Sequence, residues 1–169
     1  MSIEHESSGT VVTLPVAAPA AQSATLSPLI DRLVSAHGAT WLTAGNVADW
    51  AAAGGDRVIF LAGDPVRFPE ALDVAVVLPE LRRHFSQRFA VGIATREHED
   101  AIARRYGSIR WPALVFVRDG QYVAVLSGML DWEVYVERVA EALAMPASRA
   151  PTVGIPVRQA GAASDTSCH

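Results

Sequence analysis

The chain has 169 residues, of which 50% are apolar, and a formal net charge of -4. This length and composition fit one domain with a substantial hydrophobic core, whereas the acidic balance argues against a nucleic-acid partner, which needs a basic surface. All 14 basic residues are arginine, which excludes lysine-dependent Schiff-base chemistry and a Walker-type phosphate site.

The N-terminal segment, residues 1–25, is rich in alanine, proline and serine. Acidic residues stand where an export signal needs positive charge, and prolines interrupt the apolar run, so the segment lacks the pattern of a signal peptide. We expect a disordered leader here. Because no stretch approaches the roughly 18 apolar residues of a membrane helix, we expect no membrane insertion. The single cysteine, Cys168, favours a reducing cytoplasm.

Helix and strand signals alternate after the leader. In chain order they predict a helix at 28–37, an edge strand at 40–43, a helix at 47–53 and a buried strand at 57–62. Ser27 and Pro28 are the N-cap and the first-turn proline of the first helix, and Asn46 is the expected cap of the second. The strand at 57–62 is nearly all apolar, as expected where helices cover both faces of a sheet.

The second half of the domain continues this alternation. Its predicted elements are a helix at 70–85, a strand at 89–94, a helix at 97–106, a hairpin at 113–128 and a helix from 131 to 145. Asp119-Gly120 forms the hairpin turn. Asp131 caps the last helix, whose expected inner face comprises Trp132, Tyr135, Val136, Val139 and Leu143. We therefore expect a folded domain at 26–145 and a disordered tail at 146–169.

Several positions late in the chain have the spacing of a thioredoxin fold. A Tyr-Gly pair lies six residues before a proline, and two glycines follow that proline at intervals of eight residues: Tyr106-Gly107, Pro112, Gly120 and Gly128. The pattern resembles that of thioredoxins, in which the proline is cis. It implies an α/β thioredoxin-like fold, with a central mixed β-sheet flanked by helices, and a cis peptide between Trp111 and Pro112.

The same resemblance shows that the redox chemistry of that fold is missing. Pro79 matches the proline inside the thioredoxin helix, and the two positions that would carry the Cys-x-x-Cys thiols are Ala71 and Val74. Dithiol exchange needs two thiols and usually a buried carboxylate below them, and the strand at 57–62 has no acid. We expect no redox cysteines, no cofactor and no enzymatic activity.

Trp111 is the leading candidate for a binding residue. In the thioredoxin geometry, the residue before the cis-proline lines the groove that holds extended peptides. An indole there offers a large apolar anchor with one hydrogen-bond donor, a residue type common in binding hot spots. The alternative is that Trp111 packs in the core under the long loop at 63–69.

Three carboxylates surround this position in the predicted fold. They could pair with arginines of a partner peptide, but Glu70 and Asp73 also lie where the helix macrodipole favours acidic residues. The loop Gly63-Asp64-Pro65 is equally consistent with a simple turn. With these alternatives open, the predicted partner-binding residues are Asp64, Glu70, Asp73, Trp111 and Pro112.

The other polar clusters predict no further chemistry. The five histidines include no pair at metal-ligand spacing, so a metal site is not expected. The run His98-Glu99-Asp100 has the composition of a solvated first helical turn.

Two segments carry a closer resemblance: VIFLAGDPVRFPEALDVAVVLPEL and RWPALVFVRDGQYVAVLSG. With their Gly-Asp-Pro loop, their Pro-Glu-x-x-Asp-Val helix start and their Trp-Pro pair, they are similar to the HyaE/HupG family of hydrogenase-operon accessory proteins. The resemblance covers about residues 27–144.

This resemblance implies a cytoplasmic, non-redox chaperone of an uptake nickel-iron hydrogenase. The expected client is the small-subunit precursor, which carries a twin-arginine signal peptide. Binding before export would serve proofreading or protect the iron-sulfur clusters from oxygen. The resemblance leaves open whether the signal peptide or the mature part is held, and whether a second hydrogenase accessory protein takes part. The alternatives are a thioredoxin-like enzyme with thiol-independent activity and a structural subunit of a larger complex.

Overall fold

The computed structural model describes residues 27–151, which form a five-stranded mixed sheet between two layers of helices. In chain order the elements are α1 (Pro28–Ser35), β1 (Thr40–Leu42), α2 (Val47–Ala52), β2 (Asp56–Leu61), α3 (Glu70–His84), β3 (Ala90–Ala94), α4 (Glu99–Tyr106), β4 (Ala113–Arg118), β5 (Gln121–Ser127) and α5 (Trp132–Ala144). The predicted leader and Cys168 lie outside the described residues.

The sheet has the strand order β1-β3-β2-β4-β5. Strand β3 is parallel to its neighbours β1 and β2, whereas β4 is antiparallel to its neighbours β2 and β5. This arrangement confirms the predicted mixed sheet with flanking helices. Every predicted element is present, although α1 ends two residues earlier than expected and α4 begins two residues later.

The central strand β2 divides the hydrophobic core into two. Successive side chains of a strand point to opposite faces. Accordingly, Val58 and Phe60 pack with α1, α3 and α5, while Ile59 and Leu61 pack with α2 and α4. All four side chains are fully buried, which confirms the prediction of a strand covered on both faces. No helix within residues 27–151 is long and apolar enough to cross a bilayer.

The helix caps only partly follow the sequence prediction. Ser27 caps α1, because its Oγ accepts a hydrogen bond from the Leu29 N–H at 3.3 Å. The predicted cap at Asn46 is wrong. Its backbone is already helical (φ -108°, ψ -14°), so its side chain turns back instead and accepts from the Thr43 N–H at 2.7 Å. Asn46 therefore closes the loop between β1 and α2 rather than capping the helix.

Helix α5 buries less of its first turn than predicted. Tyr135, Val139 and Leu143 enter the core, but Trp132 is 40% exposed. Its ring packs edge-to-face on His84 at the end of α3, with ring centroids 5.8 Å apart. Asp131 precedes the helix with an extended backbone, yet its side chain makes no capping hydrogen bond.

The hairpin between β4 and β5 turns as predicted at Asp119 and Gly120, whose φ angles are +51° and +81°. Positive φ at both central residues is typical of the two-residue turns that match strand twist. The turn is also tied to α2, since the Gly120 N–H donates to the Ala51 carbonyl oxygen at 2.9 Å.

The residues after α5 remain on the domain up to the end of the described part, although the predicted tail starts at 146. The Ser148 N–H donates to the Tyr122 carbonyl oxygen on β5 at 2.6 Å. Pro151 packs so closely on Gly107 that a β-carbon there would overlap the Pro151 carbonyl oxygen. We call residues 146–151 the C-terminal strap. An edge strand offers unpaired backbone groups, which explains why the strap adheres to β5.

Candidate functional site

Three loops meet at one end of the sheet, because β4 is antiparallel to its two neighbours. Leu61 pairs with Ala113, which pairs in turn with Ser127. The loops that extend these strand ends are the β2–α3 loop at 62–69, the α4–β4 loop at 107–112 and the β5–α5 loop at 128–131. A hydrogen bond of 2.7 Å from the Gly128 N–H to the Pro112 carbonyl oxygen joins the last two. We call this region the loop end.

The peptide bond between Trp111 and Pro112 is cis, as predicted. Pro112 is buried and Trp111 is half-buried. The Trp111 indole stacks on Phe68 from the β2–α3 loop, with ring centroids 6.1 Å apart and an interplanar angle of 28°. Its Nε1 is buried without a hydrogen-bond partner among residues 27–151. Packing under the loop therefore describes Trp111 better than an indole standing free in a groove.

Gly63 allows the β2–α3 loop to lie against Trp111. Its φ is +74°, and a β-carbon at this position would lie 2.6 Å from Cδ2 of Phe68 and 3.1 Å from Cβ of Trp111. The first of these contacts would force the Phe68 ring to move, the second is tight, and the left-handed backbone also disfavours any larger residue. Only glycine fits here without displacing the stacked rings.

Glu99, the first residue of α4, binds the same loop through a buried hydrogen bond. It is 1% exposed, and its Oε1 accepts a hydrogen bond from the Gly63 N–H at 2.8 Å. Its Oε2 pairs with Nη1 of Arg96 at 3.1 Å. Burial raises the pKa of the Glu99 carboxyl group, and the hydrogen bond from Gly63 and the charge of Arg96 act in the opposite direction.

The prediction that His98-Glu99-Asp100 is a solvated turn is therefore wrong for Glu99. Asp100 is exposed and His98 is half-buried, but Glu99 faces inward. The buried residues of α4 are Glu99, Ile102, Ala103 and Tyr106, which is the spacing of one helical face. That spacing was visible in the sequence and could have shown that the carboxylate belongs to the inner face.

The site contains a buried acid, whereas the two positions that carry thiols in thioredoxins are closed to solvent. Residues 57–61 of β2 contain no acid, as the sequence indicated, and Asp56 at the start of the strand pairs with Arg88 and Arg118. The buried acid of the site, Glu99, comes from α4 instead. Ala71 and Val74, which replace the thioredoxin cysteines, are 0% and 2% exposed and belong to the core beneath α3. Both side chains therefore serve the packing of the hydrophobic core.

The three predicted carboxylates have different surroundings. Asp64 is half-buried and its Oδ1 accepts from the Val66 N–H at 2.8 Å, so it shapes the loop. Glu70 is half-buried in the first turn of α3, and Asp73 is exposed one turn further on. Within the described part of the chain, they share no hydrogen-bond partner. At the start of α3, Glu70 and Asp73 are thus not occupied by a local turn, unlike Asp64. Asp131 in the β5–α5 loop is also exposed and makes no capping hydrogen bond.

Each of the three loops also carries an exposed apolar side chain, which the sequence analysis missed. Val66 is 90% exposed, Ile109 69% and Met129 40%. We call these three residues the apolar rim. Apolar residues in loops have no helix or strand period that marks them, and only their exposure makes them notable. Arginines follow two of them, Arg67 and Arg110, and both are exposed.

Comparison with known proteins gives consistent matches. The family model described as "Hydrogenase-1 expression protein HyaE" matches residues 29–135. The chain is 54% identical over 154 residues to the hydrogenase expression/formation protein HoxO of Cupriavidus necator, covering 90% of this chain and 94% of that protein. It is 39% identical over 105 residues to the hydrogenase expression/formation protein HupG of Bradyrhizobium diazoefficiens, covering 62% of this chain and 71% of that protein.

A solved structure supports the fold assignment. A thioredoxin variant from Halobacterium salinarum matches with a TM-score of 0.52 and 17% sequence identity, over 63% of this chain and 92% of that one. At this identity the likeness concerns the fold alone.

Proposed function

Because the chain belongs to the HyaE family of hydrogenase expression proteins, it is an accessory protein of hydrogenase expression and formation, and we propose that it works as a non-enzymatic chaperone in the cytoplasm. Its proposed client is the small-subunit precursor of a nickel-iron uptake hydrogenase. The chaperone holds the twin-arginine signal region and so keeps the precursor from export until its iron-sulfur clusters are assembled, shielding them meanwhile.

The observation that carries this proposal is the apolar rim. Val66 and Ile109 expose most of their side chains at the loop end, where the cis peptide between Trp111 and Pro112 also lies. Clustered apolar side chains surrounded by polar residues mark protein-binding surfaces. Signal peptides contain an apolar segment of about 7–15 residues, which matches the chemistry of such a rim.

The charges around the rim suggest how the precursor is oriented. Arg67 and Arg110 bring positive charge to the rim, so arginines of the client are repelled there. Glu70 and Asp73 lie on α3 beside the loop and attract them. We therefore place the apolar segment of the signal peptide on the rim and its arginine pair against the start of α3.

The second candidate function, a thiol-independent enzyme of thioredoxin type, has one observation in its favour, the buried Glu99. However, both carboxylate oxygens of Glu99 are engaged, one by Gly63 and one by Arg96. A group bound in this way positions a loop. This favours the non-enzymatic proposal.

A binding measurement with matched variants tests the proposal. A fluorescently labelled peptide with the small-subunit signal sequence is titrated with the full-length protein and its binding followed by anisotropy. The double variant Val66→Ser/Ile109→Ser should weaken binding by about 2 kcal/mol or more, if the rim is the anchor.

The matched control is Val76→Ser/Met145→Ser, which removes two apolar side chains that are 55% and 47% exposed, one in the middle of α3 and one after the end of α5. This control should bind like the parent protein. Equal binding by the rim variant and the parent would show that the signal peptide does not use this surface.

A further inference from the structure

A cleft lies at the opposite end of the sheet from Pro112, beside the β4–β5 turn. Its volume is about 500 Å³, within the range of small-molecule sites. It is lined mainly by polar side chains: Arg105, Tyr106, Gln121, Tyr122, Ser148 and Arg149. Strand β4 spans the six residues between Pro112 and this turn, so the turn is about 17 Å from Pro112.

The C-terminal strap builds one wall of this cleft. The Ser148 backbone is bonded to Tyr122 on β5, and Pro151 is packed on Gly107 at the end of α4. These two contacts hold Arg149 between the strand and the helix. The cleft therefore exists only when the strap is in place.

The cleft concentrates hydrogen-bond donors and positive charge. Arg105 and Arg149 are exposed, and neither guanidinium forms a salt bridge or a hydrogen bond with the rest of the described chain. No carboxylate is among the lining residues. Tyr106 is 3% exposed, and its hydroxyl is buried without a partner among residues 27–151. A buried hydroxyl of this kind costs stability unless an acceptor reaches it.

We propose that this cleft binds a small molecule that carries an oxyanion, a phosphate or a carboxylate group, on an aromatic or apolar body. Guanidinium groups bind both anions through paired hydrogen bonds, and the Tyr106 hydroxyl supplies a further donor. The half-buried Tyr122 ring packs against the body of the ligand. This binding is independent of the proposed chaperone surface, because the two sites share no residue.

Isothermal titration calorimetry on the full-length protein tests this. Phenyl phosphate and benzoate are the probes for the two anions, benzyl alcohol is the uncharged reference, and sodium chloride keeps the ionic strength constant. We expect saturable binding of at least one anion and none of benzyl alcohol. Binding of one anion alone identifies the group that the cleft prefers. Failure of both anions to bind would overturn the proposal.

Matched variants show whether the binding belongs to this cleft. Arg105→Gln/Arg149→Gln should lower the affinity for the anion at least about tenfold, since two charge-assisted contacts are lost. Arg104→Gln/Arg110→Gln, which removes the same two charges from exposed positions that do not line the cleft, should change the affinity less than about twofold. If both variants lose the same affinity for the anion, the probe is attracted by arginine charge in general, and a specific site in this cleft is refuted.

Tyr106→Phe separates ligand binding from folding. Without a probe, this variant should melt at the same temperature as the parent protein or higher, because it removes a buried hydroxyl without a partner. With saturating probe, it should gain less thermal stability than the parent. An equal gain in both proteins would exclude the hydroxyl from the proposed site.

Discussion

The Glu99 carboxylate accepts a hydrogen bond of 2.8 Å from the Gly63 backbone N–H, which joins α4 to the loop that carries Phe68. The two residues are 36 positions apart in the chain. Since a β-carbon added to Gly63 would meet Phe68 and Trp111, the Gly63 backbone lies close to both rings, and this single hydrogen bond connects a buried acid to the stacked rings of the candidate site.

Removing the Glu99 side chain should destabilise the domain. Glu99→Ala leaves the Gly63 N–H buried without an acceptor and Arg96 without its partner, so we expect the free energy of unfolding to fall by about 2–3 kcal/mol. Glu99→Gln keeps an acceptor and should cost about 1 kcal/mol. Urea denaturation measures both. Glu97→Ala, at an exposed position just before α4, is the control; an equal effect there would contradict the role of Glu99.

The pH dependence of stability should report the same carboxyl group. Burial raises the pKa of Glu99 above its ordinary value of 4.5, so the folded protein holds this proton more tightly than the unfolded chain. Its contribution is fully present below the unfolded-state pKa and is lost as pH rises through the folded-state pKa. The free energy of unfolding of the parent relative to Glu99→Gln should therefore fall from about pH 4 towards neutrality. A rising difference would mean that Arg96 and Gly63 outweigh burial.

Gly63→Ala should both destabilise the domain and disturb the aromatic stack. The new β-carbon meets Phe68 and Trp111, and the backbone has a positive φ, for which we expect a loss of about 2–3 kcal/mol. Gly38→Ala is the matched control, because its φ is +67° but nothing lies within 4 Å of the added carbon. The difference between the two variants measures the overlap. Tryptophan fluorescence should change in the first variant only.

Substitution of Trp111 should show how far binding depends on packing. Trp111→Ala removes a half-buried indole and should lower the free energy of unfolding by about 2–3 kcal/mol and weaken precursor binding by about 2 kcal/mol or more. Trp111→Phe keeps a ring against Phe68 and removes a buried N–H without a described partner, so its stability should change by less than about 1 kcal/mol. Unchanged peptide binding by a folded Trp111→Ala would place the client elsewhere.

Reversing the acids of α3 should act mainly on the rate of association. Glu70→Arg/Asp73→Arg should slow the binding of the signal peptide at low salt, while the effect should shrink at physiological salt, where exposed charges are screened within about 8 Å. Stopped-flow fluorescence gives the rate constant. Glu137→Arg/Glu141→Arg makes the same change in net charge on exposed positions further along α5. If both pairs slow binding equally, the acids of α3 have no specific part.

The sequence by itself determined the features that depend on local order along the chain. The apolar run of β2, the cap at Ser27 and the turn at Asp119-Gly120 follow from the preferences of neighbouring residues. The spacing to Pro112 indicated the fold, and the residues at 71 and 74 ruled out its redox chemistry, because a side chain without a thiol cannot supply one wherever it is placed.

Only the tertiary structure decided which distant groups touch. Three contacts join segments that are far apart in the chain. They are the hydrogen bond between Glu99 and Gly63, the stacking of Phe68 on Trp111, and the backbone hydrogen bond from the C-terminal strap to Tyr122. Helical spacing could place Glu99 on an inner face, but not beneath a particular loop. A run of charged residues such as His98-Glu99-Asp100 is compatible with a solvated carboxylate and with a buried one. Which of the two occurs depends on the desolvation and the hydrogen bonds that the carboxylate meets once the elements pack.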